Sequence, residues 1–363
     1  MKRIGGLFER MASASTFTQA AWQAAQGKHQ RPEVRAFLAH LESEMAKIIH
    51  ALRAGSFRFG EYRTFSIRDP KSRVIHAPPF RDRVVHHALI IATGPVFERG
   101  AIAHSYACRK GRGQHAALGQ VCRWLRPQDW FLKLDVAKFY DSVPHEVLRC
   151  LLARRFRERK LLNLFDHLLD SYQRSPGKGL PIGALTSQYL GNFYLDAFDH
   201  WANQTAGQHR YLRYMDDMVF LGDLPTLRHM RRSAAVVLEG LGLRIKNGGV
   251  LNRAALGLPC LGFVIYPDRV RLNQPGRQRL IRRLKTLEHE WETSDITERE
   301  LQARGEALFA HARFGDDLAW RQMVCRRSRF GETQAPDPRP AGWFLEQFRQ
   351  ELPLGVSQQE QAG

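Results

Sequence analysis

The chain has 363 residues, with 55 Lys and Arg against 36 Asp and Glu, a formal net charge of +19. Arginines recur in most segments, so the excess points to a polyanionic partner, nucleic acid before an anionic membrane surface. No stretch reaches the roughly 18 apolar residues of a membrane span, and the basic N-terminus lacks a signal-peptide apolar core.

The five cysteines (Cys108, Cys122, Cys150, Cys260, Cys325) are scattered, without disulfide or zinc spacing. Reduced thiols in a cytoplasmic protein with no membrane partner are the expectation. In chain order, Val34, Phe37, Leu38, Leu41, Met45, Ile48, Ile49 and Leu52 trace a helical stripe opened by Pro32 and closed by Gly55, which predicts one helix over 33–54. Residues 56–85 alternate aromatic and basic side chains around Asp69-Pro70, as a strand pair would. "WFLKLDV" (130–136) reads as a buried strand, and a helix follows Pro144. Tyr211–Tyr214 and Met218–Leu221 read as hairpin strands, with Met215-Asp216-Asp217 as their tight turn. Leu227, Met230, Ala234, Val237, Leu238 and Leu241 repeat at helical spacing.

From Gln274 the character changes. Leu280, Leu284, Leu287 and Trp291 share one helix face, and Arg277, Arg279, Arg282, Arg283 and Lys285 cover the other. "GETQAPDPRPAG" (331–342) is a Pro/Gly linker, and "WFLEQFRQEL" (343–352) predicts a short amphipathic helix. Strands mixed with helices, then a basic helical module, predict an α+β domain with a helical appendage.

The acids raise the chemical question. Asp216 and Asp217 stand side by side on the hairpin, where like charges repel by roughly 4 kcal/mol at ~4 Å and an effective dielectric of ~20. No nearby base neutralises them in the sequence. Asp135 ends the apolar strand, where an Asp is most often a turn or cap residue. Two strands side by side would instead bring Asp135 to Asp216, and three carboxylates gathered there persist only with cations between them. Oxygen ligands without Cys or His favour Mg²⁺ or Mn²⁺. A basic chain holding paired divalent ions suits phosphoryl transfer.

"LKLDVAKFYDS" (132–142), "GLPIGALTSQYLGNFYLDAFD" (179–199) and "YMDD" (214–217), in that order, resemble the palm motifs of reverse transcriptases. The likeness extends to "DPKSRVIHAPPFRDRVVHHAL" (69–89), "SYACRKGRGQHAAL" (105–118) and "GLPCLGFVIYP" (257–267), roughly residues 55–270 in all. It implies a right-hand polymerase with fingers, a palm (an antiparallel sheet with helices on one face) and a helical thumb. The implied divisions are a helical extension (1–54), fingers with the first palm elements (55–129), palm (130–272), basic thumb (273–330), and a linker, short helix and polar tail (331–363).

By resemblance, Asp135 and Asp216 hold two Mg²⁺ ions (Mn²⁺ as a substitute), Asp217 supports them, and the Val136 carbonyl is a further ligand. Tyr140 matches the aromatic steric gate against a 2′-hydroxyl. Arg73, with Lys71 or Arg68, matches the fingers cations on the triphosphate, and Ile182, Gly183 and Gln188 fall in the nucleotide-side motif. Lys246 matches the proton donor to pyrophosphate, although a solvated strand-end lysine reads the same way. Leu261-Gly262-Phe263 matches the primer grip, compatible with an apolar strand. Arg109, Lys110 and Arg112 can reach phosphates in a glycine-rich loop, and Arg282 and Arg283 belong to the thumb surface facing template and primer.

Ile182 and Gln188 depart from the common pattern, which has Gln and Pro there. The Ile-Gly-x-x-x-Ser-Gln sequence resembles reverse transcriptases of diversity-generating retroelements, which copy a template-repeat RNA with errors at adenines and work with a basic accessory protein, in one or several copies. The expected substrates are template RNA, a cDNA or primer end and deoxynucleoside triphosphates. About a hundred residues follow the primer grip, room for a thumb but not for an RNase H or endonuclease domain. An antiphage-defence or retron-like reverse transcriptase shares this palm, though the retron Val-Thr-Gly signature is absent. An RNA-binding scaffold with an inactive palm is the non-enzymatic alternative, and the intact acids argue against it.

Overall fold

In the computed structural model, which describes residues 3–68, 72–205 and 210–326, the aromatic and basic alternation becomes an antiparallel hairpin. Its strands are β1 (Arg63–Arg68) and β2 (Ser72–Ala77), with Ile67 opposite Arg73. The pairing stops short of residue 85 because Pro78 and Pro79 have no N–H to offer a ladder, and Pro79 opens the helix Phe80–Gly100. That helix buries Val84, Val85, Ala88, Leu89 and Ala92.

The helix expected over 33–54 is two, Pro32–Ala39 and Leu41–Ala54, broken at His40 (φ −121°, ψ 32°). The break serves two packing partners. Phe37 meets Phe80 edge-on with ring centroids 5.1 Å apart, while the Thr18 hydroxyl, on the helix Ala14–Ala25, reaches the Met45 sulfur at 3.7 Å.

The central sheet comprises β3 (Trp130–Asp135), β4 (Tyr211–Tyr214), β5 (Asp217–Gly222) and β6 (Val250–Arg253) in the order β4-β5-β3-β6, every pair antiparallel. Side chains alternate between its faces. Leu132, Leu134, Met218 and Phe220 enter one core with the helices Leu185–His200 and Leu224–Gly240. Phe131, Leu212, Val219 and Leu221 enter a second core with the helix Gln114–Trp124. Besides the helices expected on the first face, the sheet therefore carries the helix Gln114–Trp124 on part of the second. Double burial is also why β3 and β5 read as near-continuous apolar runs.

A second small sheet joins the second core: β7 (Leu258–Cys260), β8 (Phe263–Ile265) and β9 (Val270–Leu272). Three helices follow, Gln274–Glu292, Glu298–Ala312 and Leu318–Arg326. The Asn273 side chain caps the first, and a Thr297/Glu300 capping box opens the second. Leu280, Leu284 and Leu287 are buried as their spacing predicts, with Arg282, Arg283 and Lys285 exposed. Among the described residues no helix is long and apolar enough to cross a membrane. Cys108, Cys122, Cys150 and Cys260 are free thiols. Asp69–Lys71 and residues 331–363 lie outside the described residues, and with them the expectations for Lys71, the linker and the last helix.

Candidate active site

The acidic hairpin closes more tightly than expected. Tyr214 pairs with Asp217, so the turn is Met215-Asp216 alone, with Met215 left-handed at φ 54°. Asp217 is the first residue of β5, and the sheet register sets it directly opposite Asp135. The Asp216 carboxyl, on the turn, feels the charges of both Asp135 and Asp217. Burial pushes the Asp216 carboxyl up to about 6; a backbone hydrogen bond opposes the shift, and repulsion from Asp135 and Asp217 adds to it.

Bases do reach these acids, against expectation. Lys133 Nζ lies 2.9 Å from Asp217 Oδ1, and Lys246 Nζ lies 3.1 Å from Asp135 Oδ2. Lys133 precedes Asp135 by two residues on β3, so both project to the same face. Burial pulls the Lys133 ammonium down, but the facing Asp217 carboxylate outweighs it and holds the group above its ordinary value. Lys246 is brought in by its own segment: Val136 bridges Ile245, and Ala137 N–H donates to Arg244 O at 2.8 Å. Gly249 (φ +73°) lets that segment lie on β3, since a Cβ there would stand 2.5 Å from Leu134 Cδ2.

Among the described residues no three acidic, His or Cys side chains are gathered closely enough to grip a metal as they stand. The donor set of Asp135, Asp216 and Asp217 nevertheless suits a hard dication, and the repulsion felt at Asp216 is what such an ion relieves.

Tyr140 stands beside the turn, on the short helix Phe139–Ser142, with its hydroxyl 3.6 Å from the Met215 sulfur. Burial raises its phenol, and Asp216 and Arg73 are among the charges it feels. Gly191 makes room for the aromatic pair, because a Cβ there would press to 3.0 Å on Phe139 and 3.6 Å on Tyr140. Leu180 N–H donates to Tyr140 O (2.7 Å), and His76 N–H donates to Ile182 O (2.8 Å), so β2 docks on the loop through Ile182 and Gly183. Gly183 sits at φ +112°, and a side chain there would strike Ile75 Cγ2 at 2.7 Å. Tyr140 thus stands against the acidic turn, and the loop through Ile182 and Gly183 joins it to β2, which carries Arg73. Arg68, exposed, faces Ser72 at the far end of the hairpin. Gln188, exposed on its helix, accepts a hydrogen bond from the Cys108 thiol at 3.4 Å.

Residues 67–247 match the family described as reverse transcriptase (RNA-dependent DNA polymerase). The chain carries a reverse transcriptase domain. Protein YkfC of Escherichia coli (strain K12) is 26% identical over 221 residues, covering 48% of this chain and 58% of that protein. Group II intron-encoded protein LtrA of Lactococcus lactis subsp. cremoris is 26% identical over 172 residues, 45% of this chain and 29% of that protein. The chain therefore matches less than two thirds of the length of either relative. A solved telomerase from Candida albicans aligns over 62% of this chain and 48% of its own at 13% identity and a TM-score of 0.43. The matched residues take in β2, β3, β4, β5 and the acidic turn.

Among the glycine-rich loop cations, Arg109 turns inward while Lys110 and Arg112 stay exposed. The Arg109 guanidinium is committed to Glu98 (2.8 Å) and to the carbonyls of Ile102 (2.6 Å) and Ser105 (2.8 Å), so it ties its own loop and does not point outward. Arg112, exposed, bonds the Ala103 carbonyl and lies over the Tyr106 ring. Lys110 is exposed. In the primer-grip segment Leu261 (φ 45°) and Gly262 (φ 89°) form the β7–β8 turn, fixed by Gln114 Nε2 donating to Leu261 O at 2.6 Å. Phe263 is core: it is fully buried, with ring contacts to His311 and Phe314 at 5.1 and 5.2 Å.

The residue that sequence reasoning missed is Arg213. It is fully buried and chelates Asp199, with Nε to Oδ1 at 2.7 Å and Nη2 to Oδ2 at 2.6 Å. Its Nη1 donates to Asn192 Oδ1 (2.9 Å) and to the Met215 carbonyl (3.1 Å), and Tyr211 OH donates to Asp199 (2.7 Å). One guanidinium thereby ties the acidic turn to the helix Leu185–His200. The signal was an arginine at an inward-facing position of a strand between two tyrosines.

If the Tyr140 ring bars ribonucleotides, Tyr140→Ala raises ribonucleotide over deoxynucleotide incorporation by at least about tenfold, the worth of ~1.4 kcal/mol. Primer extension with each nucleotide set measures the ratio, and an unchanged ratio removes the ring from that role.

Proposed function

We propose that this chain is an RNA-directed DNA polymerase that copies a template-repeat RNA into cDNA with adenine-directed errors, for the mutagenic retrohoming of a diversity-generating retroelement. The observation that carries the polymerase reading is the register that sets Asp135 opposite Asp217, with Asp216 on the adjoining turn and Tyr140 beside it. Asp135, Asp216 and Asp217, with the Val136 carbonyl, would hold two Mg²⁺ ions, which when bound polarise the phosphoryl oxygens and favour ionisation of the primer 3′-hydroxyl. Arg73 offsets triphosphate charge from the fingers side. The Tyr140 ring fills the space a 2′-hydroxyl would need. Lys246, already 3.1 Å from Asp135, supplies a proton to the leaving pyrophosphate.

Ile182 and Gln188 carry the subtype. The Ile182 carbonyl is occupied by His76 N–H, and its aliphatic side chain offers the incoming nucleotide no hydrogen bond where a Gln would. A net hydrogen bond is worth ~1 kcal/mol, several-fold in discrimination. A basic accessory protein and the template RNA are the partners of this reading.

Likeness to LtrA, a group II intron-encoded protein by name, favours a second reading, an intron-type reverse transcriptase. Sequencing cDNA made from a defined RNA, with the accessory protein supplied, separates the two. Errors should cluster at template adenines in the wild type, and Ile182→Gln should lower them about five-fold. Equal accuracy at all four template bases would support the intron-type reading instead.

A further inference from the structure

A second basic cleft lies outside the catalytic turn. It has a volume of about 720 Å³ and runs between the helix Leu224–Gly240 and the segment from Arg244 to Leu251. Arg228, Arg231 and Arg232 share one helix face at spacings of three and four, and Arg244 lines the same cleft from its other side. All four are exposed. Glu239 is the one carboxylate among the lining residues. Gly248 (φ +67°) keeps Arg231 against the loop, since a Cβ there would stand 3.0 Å from its Nη2. Arg244 also lines a neighbouring cleft of about 660 Å³ with Lys138 and Lys178, so the positive surface continues past it.

Unbalanced guanidiniums repel one another, and an anion with several charges at matching intervals relieves that repulsion. Planar forks suit phosphate oxygens. Trp130 is half-buried in the lining, and an aromatic ring beside a cationic groove is the combination that holds single-stranded nucleic acid, by stacking and by charge. An acidic peptide would have no use for the ring.

We propose that this cleft binds the phosphate backbone of a single-stranded RNA segment outside the stretch being copied. The strand's identity as RNA rests on the reverse transcriptase reading, since the unpaired nucleic acid such an enzyme meets is its template. The segment that lines the cleft through Arg244, Ile245 and Gly248 also carries Lys246 to Asp135. RNA held here is therefore anchored one loop from the catalytic acids.

The test uses the full chain with its polymerase cleft saturated by an unlabelled, pre-annealed template–primer. A labelled, unstructured RNA of about 16 nucleotides is then titrated against it. Wild type should show this second binding event. The triple variant Arg228→Gln, Arg231→Gln, Arg232→Gln should weaken it at least about tenfold and make its log–log salt dependence shallower by about 2. Ala235→Glu, which places a carboxylate in the lining, should weaken the same event independently. Extension of the short template–primer should stay within about twofold of wild type in both variants. That extension tests the polymerase reading separately, because the three arginines and Ala235 are not among the residues placed around the acidic turn. Undiminished RNA binding in both variants overturns the proposal. So does a parallel loss of extension, which would assign the arginines to the main cleft. DNA of the same sequence bound as tightly as RNA overturns the assignment of the strand.

Discussion

Asp216→Asn and Asp135→Asn are each expected to cut cDNA synthesis by at least about a hundredfold, with RNA affinity held within about twofold. Asp135 ends β3 and Asp216 stands on the turn beside it, and the strands themselves are held by backbone pairing. An amide keeps the shape and removes the charge that a dication needs. In the proposed arrangement Asp217 supports the other two, so Asp217→Asn should cost less than either. Primer extension and filter binding on the same preparations measure the two quantities. Synthesis above a few per cent of wild type in Asp216→Asn would remove that residue from the metal-ligand set.

The second large effect concerns Arg213 and Asp199, both fully buried. Removing one partner of a buried pair leaves the other charge desolvated and unmatched, which costs about 3–5 kcal/mol. Asp199→Asn and Arg213→Met should each show that loss in urea unfolding. The double variant Arg213→Met with Asp199→Leu should recover part of it, since no charge is then stranded. Arg213→Met should also slow synthesis, because the Met215 carbonyl loses its donor. Single variants within about 1 kcal/mol of wild type would show that the network is not a stabilising element.

Asp196 adds a pH dependence to that cluster. Burial, with Asp199 nearby, pushes its carboxyl up from 3.8 to about 7. A raised folded-state pKa means the folded chain binds this proton more tightly than the unfolded one. Its contribution is therefore full below the unfolded value and is lost as pH rises through the folded one. Asp196→Asn should be more stable than wild type above pH ~7, with the difference vanishing below pH ~4. Thermal melts across that range check the sign.

How much was legible follows from which signals are local. The hairpin and β3 were readable because apolar residues on both faces leave unbroken runs, but the reading that brought Asp135 to Asp216 did not give the register, which sets Asp135 opposite Asp217. The helix Ala14–Ala25 was not read. It buries Phe17, Ala20, Ala21, Ala24 and Ala25 at helical spacing, but alanines give a weak apolar pattern. The break at His40 carries no Gly or Pro, since tertiary packing on two different helices imposes it. Lys133 and Lys246 were legible as lysines, but which carboxylates they meet depends on cross-strand register. Phe263 was readable as apolar, whereas its burial under His311 and Phe314 depends on helices some fifty residues later. Arg109 looked like a phosphate contact because its acceptors, two carbonyls and Glu98, are set by loop conformation.

The central claim is that the carboxylates on β3 and the β4–β5 hairpin make this chain copy RNA into DNA. The direct test is extension of a DNA primer on an RNA template by the purified full chain with deoxynucleoside triphosphates. The account predicts template-length cDNA in Mg²⁺, abolished by EDTA and restored when the metal is returned. A chain that binds the RNA template–primer yet makes no cDNA in Mg²⁺ or Mn²⁺, with the proposed accessory protein and template RNA supplied, would contradict it.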